Sequence, residues 1–172
     1  MDQAIVACST PPGRGAISVV RISGKEVKSI INNLFSLEFD HGTSKVAETN
    51  LSEGFNEKCL ISCFEGPSSY TGEDVAEISC HGNPLIVRAL IQKCIELGAR
   101  NANPGEFTQR AFLNNKIDLA QSEAVIDLIN ASSSAAMVAA SKSVSGNFGE
   151  NVDKILESCL LYTSPSPRDT TA

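Results

Sequence analysis

Four short segments carry the β-branched and apolar residues expected of strands: residues 4–8, 16–22, 58–64 and 73–81. The second of these is apolar on both faces, which predicts a central strand with both sides of its sheet covered. In the last, the two-residue alternation places Glu77 on the face opposite to Ile78. The stretch 36–56 is polar and irregular, and it predicts loops with one short strand near residues 45–49.

Helical periodicity follows two of these strands. Ser23 and Glu26 have the spacing of a capping box, which predicts a helix that begins after them and ends near Phe35. A second helix is predicted to begin after the cap residue Asn83 and to stop at Gly98. Its predicted core face consists of Ile86, Val87, Leu90, Ile91, Cys94 and Ile95.

The segment from Asp118 to about Ser145 predicts one long helix of a different character. Ala, Ser and Asn fill much of it, and small side chains let helices approach closely, so it is typical of a helical bundle. Gly146 is expected to interrupt the helix. Apolar residues beyond it predict a continuation or a second helix: Phe148, Val152, Ile155 and Leu156.

Together these elements predict an α+β fold, in which a mixed β-sheet with packed helices precedes the first helices of an α-helical bundle. The predicted domains cover residues 1–117 and 118–157. Residues 158–172 lose the helical pattern and gain prolines. They resemble a peptide that recurs when sequencing-adapter DNA is translated, so we expect the chain from about Ser158 onward to be non-native; a disordered Ser/Pro tail is the alternative.

Composition narrows the function classes. Of the 172 residues, 42% are hydrophobic and 20% are charged, as expected of a globular protein. No apolar run is long enough to span a bilayer, and the N-terminus lacks a secretory signal, so we expect a cytoplasmic protein. The formal charge of −6 argues against phosphate-backbone binding by this chain alone. The six cysteines lack zinc-site spacing, which favours buried free thiols over a metal site.

Several short motifs occur in a specific order along the chain: Thr10–Ile17 (TPPGRGAI), Val20–Gly24 (VRISG), Ser69–Val75 (SYTGEDV), Cys80–Pro84 (CHGNP), Pro104–Ala124 (PGEFTQRAFLNNKIDLAQSEA) and Asp127–Ser132 (DLINAS). Each is weak alone, but together they are specific. The chain resembles the tRNA-modification GTPases of the MnmE (TrmE) family, and the resemblance covers essentially everything before the suspected tail.

The resemblance implies an aminomethyltransferase-like N-terminal domain that binds a reduced folate such as 5-formyltetrahydrofolate and pairs two subunits into a homodimer. A helical domain carrying an inserted GTPase domain would follow. With a flavoprotein partner, such proteins install a carboxymethylaminomethyl group on the wobble uridine of certain tRNAs. The parent protein is therefore implied to be a GTP hydrolase.

The chain departs from the family pattern because it contains no G-x-x-x-x-G-K-[ST] phosphate loop. We therefore expect a sequence truncated before the GTPase domain. GTP, magnesium and potassium would belong to that missing domain, and this fragment would hold no catalytic residue and no metal.

The resemblance implies three folate-binding residues: Arg21, Glu77 and Lys116. A strand carboxylate such as Glu77 suits the paired N–H donors of a pterin, although a structural ion pair with Arg21 or Arg88 explains it equally well. Arg21 is alternatively the partner of a sheet-edge salt bridge. Lys116 is alternatively a solvated loop lysine.

Two other functions remain open on the sequence. One is a free-standing folate-dependent aminomethyl transferase, against which the bundle-type helix argues because that helix needs partners. The other is a dimerisation scaffold with a vestigial pocket.

Overall fold

The computed structural model describes residues 3–146, which form one mixed sheet and five helices. The strands are β1 (Ile5–Cys8), β2 (Ile17–Ser23), β3 (Ser44–Ser52), β4 (Phe55–Phe64), β5 (Val75–His81) and β6 (Arg100–Asn101). The helices are α1 (Val27–Phe35), α2 (Pro84–Glu96), α3 (Glu106–Leu113), α4 (Leu119–Asn130) and α5 (Ser134–Val144). The sheet order is β3-β4-β5-β2-β1-β6, with β1 and β6 parallel and the other pairs antiparallel. The predicted α+β class is confirmed.

The core lies between one face of the sheet and helices α1 and α2. Val20 and Ile22 of β2 are fully buried there, together with Ile30 and Ile31 of α1 and Leu90 of α2. Because side chains alternate along a strand, their neighbours in β2 lie on the opposite face. We call this opposite side the open face of the sheet.

The open face is only partly covered, so the prediction of a sheet buried on both sides is wrong in part. Ile17 of β2 is 66% exposed, Val46 of β3 is 59% exposed and Leu60 of β4 is 42% exposed. The central position predicted for β2 is confirmed, since it pairs with β1 on one side and β5 on the other.

Two predictions about local structure are wrong. Ser23 and Glu26 form no capping box, because the Ser23 hydroxyl bonds Thr71 and Glu73 instead, and the Glu26 carboxylate accepts the backbone N–H of Ala4. Strand β3 is nine residues long rather than a short strand. One face of this edge strand is exposed along its length, whereas Thr49 and Leu51 on the other face are buried. The polar Thr49 on that inner face hides the apolar alternation by which a half-buried strand is recognised.

Residues 117–146 belong to a compact unit separate from residues 3–116. Its predicted single helix is two helices, α4 and α5, which break at residues 131–133. Asp118 caps α4 in a capping box with Gln121, and Ser133 caps α5 by accepting the backbone N–H of Ala136. Local capping by Ser133 therefore outweighs the helix propensity of the surrounding alanines. The predicted elements after Gly146 lie outside the described residues.

Four of the cysteines pack in the core as small apolar side chains: Cys59, Cys63, Cys80 and Cys94. Burial raises the pKa of Cys59 and Cys94 to about 12, and that of Cys80 to about 11. The predicted buried thiols are confirmed at these positions.

Candidate functional site

Arg21 and Glu77 form an ion pair on the open face of the sheet. They are direct partners in the β2–β5 ladder, with Arg21 Nη2 2.7 Å and Nε 2.9 Å from Glu77 Oε1. The two side chains are 25% and 30% exposed. The structural pairing that the sequence left open for Glu77 is therefore with Arg21, and both groups remain within reach of solvent.

Two aromatic rings flank the guanidinium of Arg21. Its Cζ lies 5.3 Å from the ring centre of Tyr70 and 5.7 Å from that of Phe107. Such contacts favour a cation electrostatically and restrict its orientation. Tyr70 Oη also lies 2.9 Å from Thr108 Oγ1, which joins the loop that carries Tyr70 to helix α3. The result is a charged pair beside planar apolar surfaces.

The loop that carries Tyr70, residues 66–74, is anchored at several points. The Ser23 hydroxyl at the end of β2 lies 2.7 Å from Thr71 Oγ1 and donates to Glu73 Oε2 at 2.8 Å. Glu73 Oε2 also accepts a hydrogen bond from Arg110 Nη1 of α3 at 2.8 Å. The loop is thus held against both the sheet and α3, so these hydrogen bonds fix the position of Tyr70.

Arg110 is almost fully buried and ties α3 to the rest of the domain. It is 1% exposed, and its Nη2 donates to the Gln3 carbonyl at 2.9 Å and to Glu106 Oε1 at 3.3 Å. Glu106 also accepts hydrogen bonds from the Arg100 guanidinium and the Asn103 backbone, with Arg100 as the main cause of a Glu106 pKa lowered to about 2. This network fixes the helix that presents Phe107.

Lys116 reaches the same loop from the other end of α3. After α3, Asn115 adopts a left-handed conformation with φ 55°, which asparagine tolerates, and the chain turns back. Lys116 Nζ then donates to the Pro67 carbonyl at 2.9 Å, and Asn114 Nδ2 donates to the Thr71 carbonyl at 2.7 Å. Lys116 is therefore an exposed lysine whose ammonium group is held by one hydrogen bond to the loop.

Gly72 allows this close approach. Its φ is 78°, and a Cβ built there would lie 3.0 Å from Asn114 Cβ and 3.1 Å from Lys116 Cγ. Only glycine combines this backbone conformation with the absence of a side chain. Gly72 thus allows the Lys116 side chain to lie close against the loop.

The three predicted site residues are brought together in two ways. Arg21 and Glu77 touch directly, whereas Lys116 is linked to them through the loop, which contacts Arg21 by Tyr70 and Lys116 by Pro67. Sequence reasoning did not single out the two aromatic rings. A signal was present, because Tyr70 and Phe107 each lie inside a motif that carried the family resemblance.

The pair retains free hydrogen-bonding capacity. Both short contacts from Arg21 go to Oε1, so Glu77 Oε2 accepts no hydrogen bond from residues 3–146. A half-buried carboxylate oxygen with an open lone pair accepts N–H donors from a ligand strongly. Adjacent aromatic rings suit a planar heterocycle, and Lys116 keeps ammonium donors beyond the one given to Pro67. The donor and acceptor set fits a reduced folate.

The fold and the site define an α+β domain whose sheet is covered by helices on one side and carries a candidate ligand site on the other. Residues 4–116 match the family described as GTP-binding protein TrmE N-terminus. The chain belongs to this family. Among the described helices, none has both the length and the apolar character required to cross a bilayer.

Curated relatives extend the match beyond that domain. A tRNA modification GTPase MnmE from Francisella philomiragia is 47% identical over 159 residues, which is 92% of this chain and 35% of the relative. Proteins of the same name from Francisella tularensis and from Azoarcus sp. are each 44% identical, with the same shares covered. The chain therefore spans about a third of the length of these relatives.

Proposed function

We propose that this chain is the folate-binding N-terminal part of a tRNA-modification GTPase. The observation that carries the proposal is the Arg21–Glu77 pair, whose guanidinium lies beside the rings of Tyr70 and Phe107 and whose carboxylate keeps one oxygen free. Membership of the TrmE N-terminal family and the name shared by the relatives support it.

Each side chain of the site makes a different contact with the ligand. Glu77 accepts the paired N–H donors of the pterin, while Arg21 holds the carboxylate in place. Tyr70 and Phe107 supply flat apolar surface for the ring system. Lys116 donates to a carbonyl or carboxylate of the ligand. When bound, the folate supplies a one-carbon unit.

In the complete protein, that unit would serve the carboxymethylaminomethyl modification of the tRNA wobble uridine, together with a flavoprotein partner and in the cytoplasm. GTP hydrolysis, with magnesium and potassium, would belong to a GTPase domain. This chain would contribute binding rather than catalysis. We also propose homodimerisation, which the exposed apolar side chains on the open face support: Ile17, Val46 and Leu60.

Calorimetric titration of the purified chain with 5-formyltetrahydrofolate tests the proposal. We expect saturable binding, and we expect Glu77→Ala to weaken it at least tenfold because an acceptor for paired donors is lost. Glu48→Ala is the matched control, since Glu48 is an exposed carboxylate on β3. Failure to bind up to millimolar ligand would refute folate binding.

Two further measurements separate the alternatives. Intact dimers without folate affinity would instead indicate a dimerisation scaffold. Aminomethyl transfer by the chain alone would indicate a free-standing transferase.

A further inference from the structure

A cavity lies on the opposite side of the sheet from the Arg21–Glu77 pair. It has a volume of about 510 Å³ and is bounded by helix α2 and by the loop that follows β1. Cys8 and Ser18, which line its floor, belong to the helix-covered face, whereas Arg21 lies on the open face. The cavity is therefore separate from the proposed folate site, and its volume is in the range of small-molecule pockets.

The walls of the cavity are mainly apolar. One comes from α2, where Val87, Ile91 and Ile95 are spaced four residues apart and so share a stripe. The sequence predicts all three to be core residues, but of the predicted face only Leu90 and Cys94 are buried. The three stripe residues are half-buried because they pack on the core with one side and line the cavity with the other. Helix α2 thus has more apolar surface than the core uses.

The facing wall is held in place. Pro11 and Pro12 form it, and proline restricts the backbone. The preceding residues are fastened to β2, since Ser9 N–H donates to the Val19 carbonyl at 2.8 Å and Val19 N–H donates to Thr10 Oγ1 at 3.4 Å. The cavity is consequently a preformed feature of the fold.

The described residues that line this cavity include one charged side chain, which is the cationic Arg88, and no carboxylate. Within residues 3–146, Arg88 has neither an ion pair nor a hydrogen bond from its side chain, whereas Arg21, Arg100 and Arg110 all pair with carboxylates. The amide of Asn101 and that of Gln92, which already donates one hydrogen bond to Glu96 Oε1 at 3.3 Å, add further donors to the lining.

We propose that this cavity binds a small organic anion with an apolar, ring-containing body. The body packs against the α2 stripe and the two prolines, and the anionic group accepts hydrogen bonds from Arg88. A guanidinium offers two parallel N–H donors to a carboxylate, sulfonate or phosphate, so it selects anions over neutral molecules of the same shape.

A pair of fluorescent probes tests this proposal with the full chain. 8-Anilinonaphthalene-1-sulfonate carries an anionic group, and N-phenyl-1-naphthylamine is the same aromatic body without it. We expect the sulfonate to bind more tightly than the amine. Arg88→Gln should weaken sulfonate binding about tenfold and leave the amine unaffected, because one charge-assisted contact is lost. Lys93→Gln, which removes the same charge from α2 outside the cavity lining, should change neither affinity.

Cys8 locates the bound probe, since its half-buried thiol lines the cavity. Saturating sulfonate should slow alkylation of Cys8 by iodoacetamide at least fivefold, read by mass spectrometry on the tryptic peptide that ends at Arg14. Ile91→Trp, which fills the cavity, should abolish that protection. The proposal is overturned if neither probe binds, if Arg88→Gln leaves sulfonate affinity unchanged, or if Cys8 reacts equally fast with and without the probe. None of these outcomes depends on folate binding.

Discussion

Arg21 and Glu77 are 56 positions apart in the sequence and directly opposite each other in the ladder between β2 and β5. Their pairing turns two moderately exposed charges into one oriented group, with the guanidinium against two aromatic rings and one carboxylate oxygen left open. We expect such a pair to contribute more to ligand recognition than to folding stability, because ion pairs accessible to water contribute little to folding.

A double-mutant cycle on this pair separates the two contributions. We expect Arg21→Gln, Glu77→Gln and the double variant to give a coupling free energy below about 1 kcal/mol in urea unfolding. We expect each single variant to lower the affinity for 5-formyltetrahydrofolate at least tenfold. Lys45→Gln breaks an ion pair with Asp40 away from the site and should leave folate affinity unchanged. Loss of binding in proportion to loss of stability would contradict a recognition role.

Gly72 and Gly54 provide a matched pair for the close approach at Lys116. Both have left-handed φ values, 78° and 76°, but a Cβ at Gly72 would meet Asn114 and Lys116, whereas a Cβ at Gly54 would meet nothing within 4 Å. We expect Gly54→Ala to cost about 1 kcal/mol from backbone strain alone. Gly72→Ala should cost about 1–3 kcal/mol more, because the Asn114 and Lys116 side chains have to give way.

Urea unfolding gives both free energies. A folate titration of Gly72→Ala should also show weakened binding, since the Lys116 side chain is displaced. Equal destabilisation by the two substitutions would mean that Lys116 is not held by contact with the loop.

Much of the site could be predicted from strand alternation. The pattern placed Glu77 on the face away from Ile78, and the structure confirms this assignment, since Ile78 is fully buried and Glu77 pairs with Arg21 on the open face. What the pattern could not provide is the register between β2 and β5, because the pairing of two distant segments depends on the whole sheet. The resemblance to a known family supplied that juxtaposition, not the periodicity.

Predictions from the sequence were wrong where polar side chains had competing hydrogen-bond partners. Ser23 has the right spacing to cap α1, yet its hydroxyl bonds Thr71 and Glu73, some fifty residues away. The same physics broke the predicted long helix, where Ser133 caps a new start among good helix formers. Local patterns describe what a residue favours in isolation, and tertiary hydrogen bonds decide between the options.

Acid titration should reveal the network that holds α3. The hydrogen bonds from Arg100 are the main cause of a Glu106 pKa lowered from 4.5 to about 2, so the folded state binds a proton at Glu106 less readily than the unfolded state. The resulting stability is present above pH 4.5 and is lost as the pH falls toward 2. We expect this group to contribute on the order of 2 kcal/mol at neutral pH.

Urea unfolding of the wild type and Glu106→Gln between pH 2 and 7 measures this contribution. The variant should be less stable at neutral pH, and the difference should shrink as the solution is acidified. Glu48→Gln is the control, since Glu48 is an exposed carboxylate on β3. A Glu106 pKa near its ordinary value, determined by NMR, would contradict the role assigned to Arg100.

Thiol reactivity should separate Cys8 from the core cysteines. Burial raises the pKa of Cys94 from 9.0 to about 12, so on the order of one molecule in ten thousand carries its thiolate at pH 8. We expect iodoacetamide to label Cys8, which is half-buried, at least a hundredfold faster than Cys59, Cys80 or Cys94 in the folded protein. In urea all four should react at similar rates.

The raised cysteine pKa values also predict that the folded protein loses stability in alkaline solution. Because the folded pKa of Cys94 exceeds its unfolded value, the stability from its neutral thiol is complete below pH 9.0 and is lost as the pH rises toward 12. Cys94→Ala should therefore flatten the fall in unfolding free energy above pH 9, while it lowers stability at neutral pH by leaving a small cavity. Rapid labelling of Cys94 at pH 8 under native conditions would show instead that α2 opens often enough to expose the core.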